Sequence, residues 1–365
     1  MIKAVSELDF YLIFATLLLC TVGLIGLTGA TYHQHGPEFV LKQGAFMIFG
    51  IFVMILLSRI KIERLIELAP VIYLFNLSLL ALVPFFGKTV YGSSRWLSLG
   101  PFSIQPSELM KFSLLLFFVF VVDYSKKLGL KEVGVIGFAF IVPFLLTLKQ
   151  PDLGTSIVFV IIMGCFLFFG GLKLRYFLLS GIALFVMSPF IWANLEEYQK
   201  QRIIAFLDPF KDYQKSGYQL IQSVVAVGSG GIDGKGLFSG TQTQLMFLPE
   251  KHTDFIFAVI AEELGTIGAM AVIMGFFIVF ARLMWLSMRL KILTGRIFLA
   301  TAGSVWMFQS SVNILMNMGW MPVVGMPLPF VSYGGSAILT FFAILGVCIS
   351  FVRENAKREL SFEDV

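Results

Sequence analysis

The 365-residue sequence contains few charged side chains. Lys, Arg, Asp and Glu make up 13% of it, whereas a soluble globular domain carries about 25%. The hydrophobic fraction is 58% and the mean hydropathy is +0.88, so the composition excludes a soluble protein and predicts a polytopic membrane protein. Segments of about ten residues with strict apolar and polar alternation are also lacking, which excludes transmembrane strands and leaves helices.

Cysteine and the common motifs of soluble enzymes are equally scarce. The three cysteines lie far apart inside apolar runs, which argues against a disulfide framework and a metal cluster. HExxH, GxSxG and CxxC do not occur, and the glycine-rich segment GSGGIDGKG has Ser229 and Gly236 where a nucleotide-binding P-loop needs Gly and Ser or Thr. The net charge of +5 comes from dispersed basic residues without a basic face, so nucleic acid is excluded as a partner.

Long apolar runs are what the sequence has in abundance. Runs of about 17 to 25 residues are long enough to cross a bilayer as helices. They predict an all-α protein with about ten transmembrane helices in a single domain, residues 1–365. The predicted spans lie near residues 10–30, 41–58, 68–86, 107–123, 133–148, 154–171, 176–193, 254–281, 296–319 and 333–352.

The basic residues predict the orientation of these helices. Of the 27 Lys and Arg residues, 16 lie in one set of loops. The other 11 include six in the connection 194–253, which is too long to report orientation, so five remain. This asymmetry predicts a multi-pass protein of the inner (cytoplasmic) membrane with both termini in the cytoplasm. The large loops 87–106 and 194–253 are then extracytoplasmic.

Residues 218–268 combine glycines, ionisable side chains and the start of an apolar span. Six glycines between Gly228 and Gly240 predict a loop that allows close backbone approach. The segment LPEKHTD then places Asp254 directly before the apolar run. Asp254 could cap the helix, or it could be a general base whose pKa is raised by low-dielectric surroundings. Glu262 and Glu263 follow inside the span, where ionisable residues usually face a cavity or a partner.

Two further polar groups open other spans. Glu108 and Lys111 have the i, i+3 spacing of an intrahelical ion pair. With Arg95 and Lys149 on the same side, Lys111 could instead belong to a cationic site for a phosphate or pyrophosphate. Asp152 could cap the sixth span or bind a divalent cation that bridges phosphates.

Four long motifs show a resemblance to a known family. They are GSSRWLSLGPFSIQPSELMK, KQPDLGTS, the whole stretch 218–268, and GMPLPFVSYGGS. These motifs are similar to those of the SEDS (shape, elongation, division and sporulation) family, with termini and a LPEKHTDFIFA segment more like its elongation members than its division members.

The resemblance implies a peptidoglycan glycosyltransferase that polymerises lipid II, the undecaprenyl-pyrophosphate-linked disaccharide peptide, during cell elongation. It implies a class B penicillin-binding protein transpeptidase and membrane proteins of the elongation complex as partners. Asp254 takes the position of the family's catalytic aspartate. The implied substrate-binding residues are Arg95, Glu108, Lys111, Asp152, Glu250, His252, Thr253 and Ser332.

Two other functions fit a polytopic chain. A lipid II flippase would use ionisable residues inside the membrane, such as Glu262 and Glu263. A non-catalytic scaffold that activates a penicillin-binding protein would explain the helices but not the concentration of ionisable residues. Because the polar motifs gather on one side of the predicted membrane, the sequence favours the polymerase. It leaves the requirement for a divalent cation open.

Overall fold

The computed structural model describes residues 9–90, 93–99, 102–211 and 216–363. Ten long helices dominate this part of the chain, and each coincides with one predicted span. They are α1 (Phe10–His35), α2 (Glu38–Arg59), α3 (Ile62–Phe86), α4 (Pro106–Ser125), α5 (Leu130–Lys149), α6 (Leu153–Phe169), α7 (Leu174–Asn194), α11 (Ile256–Arg289), α12 (Leu293–Asn317) and α13 (Gly335–Glu363). The predicted all-α polytopic architecture is confirmed.

Seven of these helices are long and apolar enough to cross a membrane by length and composition, among the described residues. The other three are α4, α6 and α12. Helix α6 has 17 residues, and α4 and α12 bury polar side chains along their length. Those polar side chains face the interior of the bundle, and several belong to the site described below.

The large loops predicted between the spans contain secondary structure. The described residues between α3 and α4 include a three-stranded antiparallel sheet of β1 (Gly87–Val90), β2 (Ser93–Leu99) and β3 (Phe102–Ile104), in which Lys88 pairs with Trp96 and Ser98 with Ser103. The long connection contains α8 (Glu197–Leu207), α9 (Ser216–Ser229) and α10 (Thr241–Gln244). Both segments connect long helices, as predicted, but the secondary structure inside them was not predicted, because such short elements are stabilised by cross-strand and tertiary contacts that carry no long periodic signal.

The beginnings of four helices meet at one end of the bundle. The Gln105 backbone N–H, just before α4, donates to Ser336 Oγ at the start of α13 over 3.0 Å. The Gln105 side chain reaches Asp152, just before α6, over 3.1 Å. Ser332 in turn donates to the Thr253 carbonyl, just before α11, over 2.7 Å. We call this the motif end, because the four motifs noted in the sequence converge there.

The centre of the bundle is packed with aromatic and aliphatic side chains, and the periphery is apolar and exposed. Four aromatic side chains at the centre are almost fully buried: Trp306 of α12, Phe330, and Phe341 and Phe342 of α13. The centroid of the Phe330 ring lies 5.2 to 5.4 Å from the centroids of the other three rings. By contrast, α7 has no buried residue. An apolar helix exposed on all sides suits contact with lipid.

Helix α11 is interrupted at Gly265, where φ is 65°. The glycine-rich segment after α9 packs into this interruption. The backbone N–H groups of Lys235 and Gly236 donate to the carbonyls of Glu262 and Glu263, each over 3.0 Å. A Cβ at Gly230 or Gly234 would collide with the backbone of α11. The predicted close backbone approach is therefore present, but it is made to α11 of the same chain.

Candidate active site

Asp254 lies in the turn that precedes α11, and its side chain does not cap that helix. The N-cap is Phe255, which makes no side-chain capping bond. The preceding turn is closed by its own backbone, since the N–H groups of Thr253 and Phe255 donate to the Glu250 carbonyl over 3.1 and 3.3 Å. The turn thus displaces the helix start by one residue, and the capping interpretation of Asp254 was wrong. Its carboxylate remains available for another role.

Burial and four neighbouring charges set the pKa of this carboxyl group. Burial raises the pKa of Asp254 to about 6, the Glu250 carboxylate adds to the increase, and the positive charges of Arg202 and Arg95 oppose it. Asp152 also raises the pKa slightly. A carboxyl group with a pKa of about 6 is ionised at neutral pH and is basic enough to accept a proton during catalysis.

Gly325, in the loop between α12 and α13, lies next to both Asp254 and Arg202. At Gly325 the φ angle is 76°, and a Cβ there would lie 3.4 Å from Asp254 Oδ2 and 3.6 Å from Arg202 Nη1. Arg202, on α8, also donates from Nη1 to the Val324 carbonyl over 2.9 Å. Position 325 therefore lies against both Asp254 and Arg202; a Cβ there would make only ordinary van der Waals contacts with them, and it is the positive φ that favours glycine.

Arg95 of β2 is held at the beginning of α6. Its Nε donates to the Gln150 carbonyl over 3.1 Å, a terminal nitrogen donates to the Pro151 carbonyl, and Nη1 lies 3.8 Å from Asp152 Oδ1. The Arg95 side chain is 27% exposed. The Arg95 side chain is therefore partly accessible from outside the bundle, where an anionic group could reach it.

Asp152 caps α6, as one of its two interpretations predicted. Its Oδ1 accepts from the Thr155 N–H over 3.3 Å, and its Oδ2 accepts from Gln105 Nε2 over 3.1 Å and from Ser107 Oγ over 3.4 Å. These partners are hydrogen-bond donors, which do not suit a cation site. No group of three or more His, Cys, Asp or Glu residues that could hold a metal ion is found among the described residues, so we assign no step to a divalent cation.

Glu108 and Lys111 form an ion pair inside the bundle, as their spacing predicted. Lys111 Nζ lies 2.6 Å from Glu108 Oε1, and both side chains are 3% exposed. Lys111 borders a small cavity between α4, α6, α12 and α13, with Gln309 as the other polar residue among those lining it. The Phe341 ring lies 5.9 Å from Lys111 Nζ. The pair is thus deeper in the bundle than the exposed face of Arg95.

The other predicted binding residues surround the Asp254 turn. Thr253 Oγ1 donates to Glu250 Oε2 over 3.1 Å, and the His252 ring lies 5.4 Å from Phe39 and 5.9 Å from Tyr333. Ser332 Oγ donates to the Thr253 carbonyl and accepts from the Leu328 N–H over 2.8 Å. Since both hydrogen bonds lie within the protein, Ser332 fixes the backbone of the turn.

Glu262 and Glu263 anchor the loop that precedes this turn. Glu262 accepts hydrogen bonds from Lys235 Nζ over 2.8 Å and from the Thr243 hydroxyl over 2.7 Å. Lys251 Nζ donates to the Thr243 carbonyl over 2.7 Å, and Glu263 accepts from Gln244 over 3.1 Å. The two glutamates therefore bind loop residues of their own chain, and their contacts do not outline a path through the bilayer.

Several polar residues at the motif end were not predicted from the sequence. The most informative are Arg202, Gln105, Asn313 and Asn317. Arg202 gave no signal because it lies in the long connection, where its charge was counted only for orientation. The asparagines did give a signal in the sequence, because Gln309, Asn313 and Asn317 recur every four residues within an apolar span. This spacing places three amide side chains on one face of the helix.

Comparisons with known proteins agree with this arrangement. The family model for cell cycle proteins of the FtsW, RodA and SpoVE type matches residues 9–357. The peptidoglycan glycosyltransferase MrdB of Escherichia coli K12 is 39% identical over 304 residues, which cover 82% of each chain. The probable peptidoglycan glycosyltransferase FtsW of Saccharophagus degradans is 36% identical and covers 97% of this chain and 96% of its own.

Two solved structures share the fold. A chain from a peptidoglycan synthase complex that coordinates polymerization and crosslinking superposes with a TM-score of 0.81 at 32% identity, over 95% of this chain and 98% of its own. The rod shape determining protein RodA of Thermus thermophilus superposes with a TM-score of 0.71 at 28% identity, over 95% and 97%. The similarity thus extends over nearly the whole bundle and includes the motif end.

Proposed function

Because this chain belongs to the cell cycle protein family of FtsW, RodA and SpoVE and is a peptidoglycan glycosyltransferase, we propose that it polymerises lipid II with Asp254 as the general base. The observation that carries this proposal is the state of the Asp254 carboxylate. It is released from helix capping, its pKa is raised to about 6, and it lies near two arginines. The relatives named peptidoglycan glycosyltransferase support the reaction class.

The chemistry of the reaction requires these groups. Transfer of a sugar from an α-linked diphosphate to form a β-1,4 bond inverts the anomeric centre. Such a displacement needs one base for the attacking hydroxyl and compensation for the negative charge of the departing pyrophosphate, without a covalent enzyme intermediate. In our proposal Asp254 takes the proton from the 4-hydroxyl of the acceptor sugar as that oxygen attacks the donor's anomeric carbon.

Arg95 and Arg202 are the groups that we propose stabilise the pyrophosphate. Both carry forked donors that suit phosphate oxygens, and both contribute to the potential at Asp254. Their backbone contacts fix each guanidinium without using all five of its N–H donors. A substrate bound between them would place its leaving group on the same side of the site as the base.

The remaining predicted residues divide into two proposed roles. Glu250, His252 and Thr253 adjoin the base, and we propose that they contact the acceptor sugar. Asp152 and Ser332 use their polar atoms within the protein, so we propose that they position the site. For the buried pair of Glu108 and Lys111, whose charges compensate each other, we propose that it holds the start of α4 in place behind the site.

We further propose the cellular setting. The 39% identity to MrdB and the shared fold with RodA support a role in cell elongation and rod shape. The match to a chain of a peptidoglycan synthase complex supports a class B penicillin-binding protein transpeptidase as partner, together with membrane proteins of the elongation complex. The chain would lie in the inner membrane with both termini in the cytoplasm and the motif end facing outward.

The decisive experiment is polymerisation of purified lipid II by the purified protein, with and without the transpeptidase, after contaminating polymerases have been inhibited. The parent protein should make glycan strands, and Asp254→Asn should make none while still binding the partner. Glycan synthesis at a parental rate by Asp254→Asn would refute the assignment of the base. Translocation of fluorescent lipid II across vesicles without polymerisation would identify a flippase instead, and activity that comes only from the partner would identify a scaffold.

A further inference from the structure

Two buried asparagines of α12 face the turn that carries Asp254. Asn313 and Asn317 are one helical turn apart, and both are completely buried. An asparagine in the interior of an apolar helix must find hydrogen-bond partners, because burial of an unpaired amide is unfavourable. The acceptors of these two amide groups therefore show which part of the backbone the asparagines fix.

Both amides donate to the same backbone oxygen. Asn313 Nδ2 and Asn317 Nδ2 each lie 3.0 Å from the Asp254 carbonyl oxygen. Asn313 Nδ2 also donates to the Met326 carbonyl over 2.8 Å. The Asn313 amide thereby also holds the loop that contains Gly325 and Val324, whose carbonyl accepts from Arg202. The carbonyl of Asp254 uses both of its lone pairs on α12.

The orientation of the Asn317 amide is fixed from its other side. Its Oδ1 accepts from the Ala258 N–H of α11 over 3.2 Å and from the Ser223 hydroxyl of α9 over 3.3 Å. An N–H donor at that position requires the oxygen of the amide there, so Nδ2 must point toward Asp254. The first turn of α11 is thus linked to α12 through both ends of one side chain.

Hydrogen bonds to consecutive carbonyls complete the fixation of the turn. The His252 carbonyl accepts from the Tyr333 N–H over 3.0 Å, and the Thr253 carbonyl accepts from Ser332 Oγ over 2.7 Å. Together with the hydrogen bonds from the two asparagines to the Asp254 carbonyl, three successive carbonyls of the turn accept hydrogen bonds from residues outside it. The backbone at Asp254 is fixed, whereas its carboxylate is left without a capping bond.

We propose that Asn313 and Asn317 are positioning residues that hold the Asp254 carboxylate in its reactive place; this inference rests on the proposed role of Asp254 as general base. The two amides set the position of the Asp254 backbone relative to Arg202 and the loop at Gly325. A displacement of about 1 Å at a reacting group can lower a rate by about 10²-fold. Because two donors share one carbonyl, either asparagine alone retains part of the positioning.

The matching experiment compares Asn313→Ala, Asn317→Ala and the double variant in the lipid II polymerisation assay. Each single variant should lose less than the double, which should lose about 10²-fold in kcat with little change in KM. The acidic limb of the rate profile should also move to lower pH. That limb reports the pKa of the Asp254 carboxyl group, which burial and the charges of Glu250, Asp152, Arg202 and Arg95 determine. A loosened turn exposes the carboxyl group to water and so lowers its pKa. A role in stability alone would leave the limb unchanged.

Asn76→Ala is the matched control, because Asn76 is also a buried helical asparagine but donates to Ser113 on α4. It should lower the melting temperature without shifting the pH profile. The inference is overturned if the double variant is folded and has a parental kcat while Asp254→Asn is inactive. If the double variant does not fold, an unshifted acidic limb in both single variants overturns it. An active Asp254→Asn would instead refute the proposed function itself.

Discussion

Substitution of Asp254 by asparagine should have opposite effects on catalysis and on stability. The environment raises the carboxyl pKa from 3.8 to about 6. A difference of roughly 2 pKa units corresponds to about 3 kcal/mol at about 1.4 kcal/mol per unit. This value is a ceiling, because the side chain is partly exposed. The ionised carboxylate is thus less stable in the folded protein than in the unfolded chain.

The pH dependence of this penalty follows from the sign of the shift. Because the folded-state pKa is the higher one, the penalty is full above pH 6, declines between about pH 6 and pH 4, and vanishes below both pKa values. Asparagine carries no charge, and α11 loses no capping bond because Asp254 provides none. The variant should therefore be at least as stable as the parent at neutral pH, with the two converging near pH 4.

The same substitution, Asp254→Asn, should lower the rate of catalysis. Removal of a general base typically lowers the rate by about 10² to 10⁴, which is about 3 to 5 kcal/mol of transition-state stabilisation. Thermal unfolding in detergent across this pH range, combined with lipid II polymerisation, measures both quantities. Asp208→Asn is a suitable control, since Asp208 lies in the same long connection but has a side chain that is 40% exposed and paired with Lys211 at 3.3 Å. A variant that is less stable than the parent at neutral pH, or that polymerises at the parental rate, would refute the reasoning.

Four other predictions follow from the same contacts. Arg95→Ala and Arg202→Ala should each lower the polymerisation rate by about 10² to 10³, whereas Arg175→Ala on α7 should not; equal rates in all three would remove the arginines from the leaving-group site. Lys111→Ala should lower stability by about 3 to 5 kcal/mol, because Glu108 is left buried without its ion-pair partner. Glu108→Gln combined with Lys111→Met should restore the melting temperature, and failure to do so would mean that the pair itself is not the cause. A cysteine at Ile232, which is 72% exposed, should react with an impermeant thiol reagent on intact cells while one at Lys173 should not, and the reverse pattern would invert the topology. Glu262→Ala should increase hydrogen exchange in residues 235–243, which Glu262 holds through five hydrogen bonds; unchanged exchange would show that the loop is held elsewhere.

The local features of the fold could be predicted from the sequence. Each predicted span coincides with a helix, because a run of apolar residues long enough for a bilayer forms a helix whichever neighbours it acquires. The ion pair of Glu108 and Lys111 and the cap made by Asp152 are also local, since their partners lie three residues away. The resemblance of the motifs to a known family identified the reaction class, which the relatives confirm.

Features that depend on distant partners were predicted poorly. Asp254 has the sequence of a helix cap, yet the turn begun at Glu250 displaces the start of α11 to Ile256. The glycines predicted a close backbone approach but not its partner, which is α11. A glycine pattern shows that the backbone comes close to something and does not show to what.

The sequence by itself determined how many apolar segments the chain has, where they begin, and which polar residues lie at their ends. Hydropathy and short-range capping are properties of a few consecutive residues, so they survive in any tertiary context. Only the tertiary structure decided which ends meet. Asp254 takes its hydrogen-bond donors from 59 and 63 residues further along the chain, and Arg202 approaches from the preceding connection. Those distances depend on how the helices pack, and it is this packing that gives the Asp254 carboxylate the raised pKa on which its proposed role as the base rests.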